Sequence, residues 1–573
     1  MGKYTIKNTA SGMKTLVYTD LKETRLHSAY DPIKETQRAI DSFNKGRANF
    51  ILVCGLGLGY HVYFLKKRFS RCRIVVLERD REIVEIVHKT YPEHIENVTI
   101  IHTVDDLPDI FENIDMMTFL GVSTFIHRPS YMLYRDFYDL LLIDIKDYLS
   151  SKASDLLTRF QFEEKWIENI FKNIHKLFTS IPVCSLFGKF TGYPGVIVSA
   201  GPSLKKNVKL LKTLRDRALI VCVDTALKVL QKNNVVPHLV VTIDAQKYSL
   251  KHFLGSTDSF SYLLADVVSY PRILEFYQGT SIISTTSKYF TNNEGLLTRE
   301  TTPLMGWLER FIQPIGDLQS GGSVATTIFD LLLNLNCNSI ILVGQDLAYT
   351  GREIHCSGTY HNNEWLSETT RFLNLNSINQ NVIRKRRIKY VEAFGGNKSI
   401  ISDFVFDLYR RWFSDSASKV NIPVVNATEG GARIDNTIEC NLDEICKDIP
   451  KNDLTPGEVL SNAISESRRI NNAESLYKGV LSALEDIKMI EVLAEKALAE
   501  KKYTDNILIK GINEENIFSV ITPFLKKTYT YIARHPDMNH EKKSKLLTED
   551  ILDASRKIQK LLVIGKENLE KIF

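Results

Sequence analysis

Paired cysteines are missing from this sequence. Its eight cysteines stand singly, from Cys54 to Cys446, with no CxxC among them, so zinc ribbons and thioredoxin-like motifs find no support. Two of them, Cys54 in ILVCG and Cys222 in LIVCVD, lie inside apolar runs, where a reduced, buried thiol is expected. No HxxxH or paired Cys/His spacing occurs, and no metal site is expected. No uninterrupted apolar run approaches the roughly 18 residues of a membrane span. The opening MGKYTIKNTASGMK has no apolar h-region, and Ile6 stands where a myristoylation signal needs Ser or Thr. A cytoplasmic protein is therefore the expectation. An excess of one charge is absent too: 73 Lys and Arg face 68 Asp and Glu, a net +5 over 573 residues. That gives no case for a nucleic-acid partner.

What remains is ordinary globular material, 44% hydrophobic and 25% charged, enough for three or four domains. NFILVCG (49–55) reads as a buried strand. It runs into GLGLGYHVYFLKKRF, a glycine turn opening a helix, then CRIVVLERD and NVTIIHTVDD as two more strands. A helix-like stretch lies near 33–46. From about 130 to 180 the leucine and aromatic spacing predicts a long helical connection. A second alternation follows: GVIVSAGPSL, ALIVCVDTALKVLQKNN, HLVVTIDAQ, weaker strands at 261–268 and 281–285, a helix in GGSVATTIFDLLLNLN, a strand in SIILVGQDLAYTG, and a late strand in NIPVVNATEGGARI (421–434). Alternation of this kind predicts mostly parallel sheets with helices on both faces. Beyond about 455, Ala473, Leu476, Val480, Leu484, Ile487, Ala494 and Leu498 form a helical stripe, the mark of a helix packed on a core of its own. The fold class is thus α/β: two Rossmann-like doubly wound domains followed by an α-helical C-terminal domain. The divisions fall at 1–130, 131–185 (helical connection), 186–435 and 436–573.

The chemistry-bearing residues cluster at strand ends. Gly55, Gly57 and Gly59 follow a strand and open a helix, with Glu78 about twenty positions on. That spacing suits a nucleotide or S-adenosylmethionine, and equally suits close helix–strand packing. Ser199, Ala200, Gly201, Pro202 and Ser203 form a second strand–turn–helix that offers backbone N–H groups to a phosphate or simply caps the helix. Three more strand ends are polar: Asp224 and Thr225, Asp244 and Gln246, and Gln345 and Asp346. In an open α/β sheet these ends converge where a ligand lies. The turn Ser320–Ser323, with Gly321, Gly322 and Ser323, is a further candidate anion-binding turn. His355 and His361 are potential bases, or solvated loop residues.

IVSAGPSLKKNVKLLK, VCVDTALKVL, VVTIDAQ, GGSVATTIFDLLL, ILVGQDLAYTG with His355 shortly after, and VVNATEGGARI stand here in an order that resembles the Maf (motility accessory factor) family. The match runs from about 190 to 435. The resemblance implies a cytoplasmic glycosyltransferase needed for flagellum assembly and motility. Such an enzyme would move a nonulosonic acid (pseudaminic, legionaminic or sialic type) from its CMP-activated form to Ser or Thr of flagellin. It implies no required cofactor, with the CMP-sugar as donor and flagellin as partner. The central domain is also similar to bacterial sialyltransferases. By that similarity Ser199, Gly201, Pro202 and Ser203 would hold CMP, and Asp224 and Asp244 fall where those enzymes place asparagines. Tyr349 would join the turns in stabilising the leaving phosphate. Those enzymes carry a late-loop histidine. The comparable stretch here, VEAFGGNKSIISD, has none, so His355, Asp346 or Glu392 would replace it. Two other readings stand beside this one: a 6-hydroxymethylpterin diphosphokinase-like enzyme using ATP and Mg²⁺, and a non-enzymatic flagellin-binding chaperone.

Overall fold

A computed structural model describes residues 3–573 apart from 21–22, 104–105, 108–109, 111–113, 115–117, 257–259, 292–295, 504–516 and 536. It divides the chain into two units: Met1–Phe160 with Lys526–Lys543, and Gln161–Leu525 with Ser544–Phe573.

In the first unit, three short antiparallel strands, β1 (Tyr4–Asn8), β2 (Lys14–Tyr18) and β3 (Thr24–Arg25), precede a helix at Pro32–Ser42. Asp31 caps that helix by accepting from the backbone N–H groups of Ile33 and Lys34. A wholly parallel sheet follows, of β4 (Phe50–Cys54), β5 (Arg73–Leu77), β6 (Thr99–Ile101) and β7 (Val122–Ile126), in the order β6-β5-β4-β7. The run FILVC is apolar at every position because both faces of its strand are covered. Ile51 and Val53 join one core cluster, while Phe50, Leu52 and Cys54 join another on the opposite face. The helix Arg135–Asn173, 39 residues long, carries the chain out of this unit.

The second unit is built on one ten-stranded sheet. Its members are β8 (Ile181–Pro182), β9 (Pro194–Val198), β10 (Leu219–Val223), β11 (Leu239–Thr242), β12 (Tyr262–Asp266) and β13 (Ser281–Thr286). A separate antiparallel pair, β14 (Lys288–Thr291) and β15 (Leu297–Glu300), interrupts the series, which resumes with β16 (Asp317–Leu318) and β17 (Ser339–Val343). The antiparallel hairpin β18 (Ile388–Glu392) and β19 (Ser399–Asp403) then precedes β20 (Val424–Asn426) and β21 (Ile438–Glu439). The sheet order is β16-β13-β12-β11-β10-β9-β17-β20-β21, with β8 also on β13. All pairs in it are parallel. From β9 the chain winds one way through β10 to β13, and then returns to β17 on the other side of β9. Strands β9 and β17 therefore flank the point where the winding reverses, and ligands of open α/β sheets lie beyond the carboxyl ends of such a pair.

The rest of this unit is helical: Pro456–Glu466, Ala473–Glu500 and most of His540–Glu570. Ala473, Leu476, Val480, Ile487 and Ala494 of the sequence stripe are buried, and Leu484 and Leu498 are half-buried. The stretch KKNVKLLKTL forms two short helices, Leu204–Asn207 and Leu211–Leu214. VEAFGGNKSIISD runs through the turn of the hairpin β18–β19. Among the described residues no helix is long and apolar enough to cross a membrane.

Candidate functional site

The switch point of the large sheet is held by a hydrogen-bonded knot. After β9 the chain turns through Ser199–Ser203, and after β17 it turns through Gly344–Leu347. Asp346, buried, accepts from the Ser203 hydroxyl at 2.6 Å, from the Ser203 backbone N–H at 3.2 Å, and from the Thr350 hydroxyl at 2.5 Å. Burial pushes its carboxyl up, opposed by those three donors. Gly201 donates its N–H to the Gly344 carbonyl at 2.9 Å. A Cβ at Gly201 would fall 2.0 Å from Asp346 Oδ1, so only glycine lets the two turns meet. The Ser199 hydroxyl donates to the Gln345 side-chain oxygen, and the Gln345 N–H to Thr428 Oγ1. Leu347 stands at φ +49°, a strained setting for a branched residue. It is fixed because the Ser402 hydroxyl donates to its carbonyl at 2.7 Å and Ala432 N–H donates to the Asp346 carbonyl at 2.7 Å.

Beside this knot lies a cluster of titratable groups. Cys356 N–H donates to the Ala200 carbonyl at 2.9 Å, which brings the neighbouring His355 imidazole against the same carbonyl. The His355 ring stacks on His361, centroids 5.2 Å apart and 19° from parallel, and His361 in turn stacks on Tyr248 at 5.1 Å. Tyr248 donates its hydroxyl to Glu364 and lies 3.3 Å from His361 Nδ1. Lys251 pairs with Glu364 at 2.9 Å. His252, buried, completes the cluster 5.3 Å from His361. Burial pushes the His355 imidazole down to about 3, helped by His361, His252 and Arg386. It pushes His361 down to about 4, where His252 and Lys251 help and Glu364 and Asp224 oppose. Both rings are therefore neutral at pH 7.

The remaining candidates divide clearly. Asp224, buried, accepts from Thr242 Oγ1 at 2.8 Å and from the backbone and hydroxyl of Thr225. Asp244, raised by burial, accepts the N–H of Gln246 at 2.9 Å, and the Gln246 side chain is exposed. Asp224 acts electrostatically on both Asp244 and His361, so these strand ends and the histidines form one neighbourhood. Pro202 is buried in the turn. The turn at Gly321, Gly322 and Ser323 spends its own donors: Gly321 N–H and Ser323 N–H on Thr326 Oγ1, and Gly322 N–H on Ser320 Oγ. Trp412 closes over Gly321, and Tyr409 lies against Gly322. The Tyr349 hydroxyl, buried, donates to Asp403. Glu392 lies exposed at the end of β18, 3.2 Å from Arg433. His252, Tyr248, Glu364 and Arg386 escaped the reading of the sequence, because each is an unremarkable residue of a helix or loop until the fold assembles them. Among the described residues, no group of three or more His, Cys, Asp or Glu is placed to hold a metal ion.

The glycine turn of the first unit is arranged otherwise. Gly57 has φ +50°, and a Cβ on it would meet His27 Nε2 at 2.5 Å. Leu58 N–H donates to His27 Nε2 and Leu56 N–H to Glu78, both at 2.7 Å. His61 lies between Phe125 and His127, with centroids 5.5 and 4.4 Å away. His94 Nδ1 donates to the Leu58 carbonyl. Glu78 and all four histidines are buried, and burial pushes the Glu78 carboxyl up to about 7.

Fold and site together define a doubly wound α/β protein with its polar residues gathered at the switch point of an all-parallel sheet. Residues 168–352 match the model of a family described as 6-hydroxymethylpterin diphosphokinase MptE-like. The fold as a whole is similar to the structure of MAf glycosyltransferase from Magnetospirillum magneticum AMB-1. That likeness has a TM-score of 0.55 and 13% identity, and covers 100% of this chain and 93% of the other. At that identity it is a likeness of fold. Two uncharacterized proteins of Treponema pallidum (strain Nichols) are 23% identical over 259 residues and 25% identical over 194. These matches take in 44% and 34% of this chain and 45% and 38% of the relatives, so the chain spans less than half the length of the curated proteins it matches.

Proposed function

We propose that this protein is a glycosyltransferase that moves a nonulosonic acid from its CMP-activated form to Ser or Thr hydroxyls of flagellin, in the cytoplasm. The observation that carries the reading is the neutral His355 imidazole set against the Ala200 carbonyl of the Ser199–Ser203 turn, at the switch point of a sheet whose fold is similar, over the whole chain, to a MAf glycosyltransferase. The acceptor hydroxyl attacks the anomeric carbon, the bond from that carbon to the CMP phosphate oxygen breaks, and CMP leaves with the electron pair. His355, next to the Ser199–Ser203 turn through the Cys356 N–H bond to the Ala200 carbonyl, is the group that accepts the hydroxyl proton. An imidazole held at about 3 is a weak base on its own. The carboxylate and phosphate of an incoming donor raise it toward the working pH. In the Ser199–Ser203 turn the N–H groups of Ser199, Gly201 and Ser203 are spent on Val343, Gly344 and Asp346, and Pro202 has none, so the turn serves the site by the rigidity of its knot with Asp346 rather than by donating to the leaving phosphate.

The test is the intact mass of the cognate flagellin, co-produced with a CMP-nonulosonate pathway with and without this protein. A ladder in nonulosonate increments that needs the protein is expected. Unchanged mass with flagellin still bound would replace this reading with a chaperone. The family match over 168–352 favours one further reading, a pterin diphosphokinase-like enzyme. Preference for ATP over CMP, with pyrophosphoryl transfer to 6-hydroxymethylpterin, would establish it instead.

A further inference from the structure

One strand edge beside the candidate site is open. On one side, β19 is bonded to the segment that follows Asp346. Tyr349 N–H donates to the Ile401 carbonyl at 2.8 Å, and the Ser402 hydroxyl to the Leu347 carbonyl at 2.7 Å. On its other side β19 pairs with β18, and the two make a sheet of their own. Phe404 N–H donates to the Arg387 carbonyl at 2.9 Å, and Ala393 N–H to the Lys398 carbonyl at 2.8 Å. The alternation of an antiparallel ladder then turns the backbone groups of Lys389 and Val391 toward β19, and those of Ile388, Tyr390 and Glu392 away from it. The Glu392 carbonyl is taken by Arg433 N–H at 2.8 Å, beside the bridge between Ala393 and Ala432. Ile388 and Tyr390 meet no such neighbouring backbone among the described residues.

The side chains along this edge are of two kinds. Ile388 and Tyr390 are 37% and 73% exposed. Immediately before them stand Arg384, Lys385, Arg386 and Arg387, all exposed. Lys389 is turned aside onto Asp407 at 2.9 Å, and Asp407 also serves Arg410 and Arg411. Arg386 has Asp403 4.0 Å away, and Arg384 and Lys385 make no ion pair among the described residues. Edge strands are as a rule covered, or blunted by charges on the strand itself. Here two apolar side chains face solvent beside a positive run. Outward N–H and C=O groups in alternation match a peptide backbone, which returns a donor for every acceptor. Phosphates could accept from the N–H groups but have no donor for the carbonyls. The basic run favours a partner of opposite charge.

We propose that the open edge of β18 receives an extended, acidic stretch of the acceptor protein as an added strand, with the Arg384–Arg387 run drawing its carboxylates. The inference rests on the reading of this protein as an enzyme with a protein acceptor, and adds where that acceptor is held.

The probe is a fluorescein-labelled peptide with an oligoglutamate head and a Val-Thr repeat, titrated into the full chain at low salt and followed by anisotropy. Wild type should bind it, and more weakly as salt rises. Arg384→Glu combined with Lys385→Glu should lose about tenfold, because like charges then face each other. Tyr390→Pro should lose about threefold to tenfold more than Tyr390→Ala, the worth of one backbone hydrogen bond. Proline removes the outward N–H but is tolerated at an edge position whose N–H faces solvent, so the melting temperature should hold. Equal loss in the proline and alanine variants would leave a merely electrostatic surface and overturn the added strand. Tighter binding of an oligothymidylate or of anionic vesicles, lost in the same charge variant, would give this face to nucleic acid or membrane and overturn the proposal. No binding of the peptide by wild type would also overturn it. Peptide binding by a protein that leaves the mass of flagellin unchanged would keep the docking edge while the transfer reading falls.

Discussion

Two glycine turns in this protein follow a strand at which the winding of a parallel sheet reverses, β4 in the first unit and β9 in the second, and such a reversal creates a crevice. In the first unit the turn's N–H groups are taken up by the chain's own side chains: Leu58 donates to His27 and Leu56 to Glu78, beneath a buried stack of imidazoles. In the second unit the turn is tied to the neighbouring turn by Asp346, and the groups beside it, His355 and His361, are only partly buried. The same strand–glycine–helix element is thus a filled joint in one place and the floor of a polar cluster in the other. A glycine turn signals that backbone comes close to something. The neighbours decide whether that something is a ligand or a side chain.

The largest expected effect sharpens this contrast through chemistry. Replacing His355 by Ala should lower flagellin modification by about 10²–10⁴-fold, the usual range for a general base, with an unchanged melting temperature. Turnover near wild type would take the base role from it. Replacing Asp346 by Ala leaves the buried donors of Ser203 and Thr350 without their acceptor and should cost about 3–5 kcal/mol of stability, read as a denaturant midpoint. Transfer should fall with it, since the turn loses its rigidity.

Gly57→Ala tests the other side. It places a Cβ against His27 at a positive φ and should cost about 2–4 kcal/mol, while transfer per folded molecule stays at wild type. Loss of transfer in a protein that still folds would break the comparison, because it would give the first turn a ligand of its own. The smallest effect is a pH slope. Unfolded imidazoles take up a proton near pH 6.5, whereas burial holds His61 at about 4 and His27 and His127 well below their ordinary value. Between these limits the unfolded chain binds more protons. The contribution of these three histidines to stability is therefore complete above about pH 6.5 and falls as the pH drops toward 4. Urea midpoints at pH 7.5 and 5 measure it, and His127→Phe should flatten the slope.

Much of the architecture is legible in the residues. FILVC, LIVCV and SIILV are apolar without alternation because they are covered on both faces, and the stripe from Ala473 to Ala494 repeats at helical spacing because one face is buried. Strand β7 and the hairpin β18–β19 were not legible. Their exposure alternates or is only partial, so neither pattern stands out from a loop. The turn motifs could be found one by one, but their partners could not. Nothing near Gly57 in the sequence points to His27 or His127, and nothing near Ser203 points to Thr350.

The sequence by itself determined the local elements: which runs are strands, where glycine must stand, and that polar residues collect at strand ends. These follow from backbone sterics and from side-chain periodicity, which act over a few residues. The tertiary structure alone decided the strand order that sets β9 beside β17, the filling of the first glycine turn by the distant His27, His94 and His127, and the meeting of His355, His361 and Tyr248. Those outcomes depend on packing and on charges brought together from separate segments of the chain, and no short-range pattern encodes such distances.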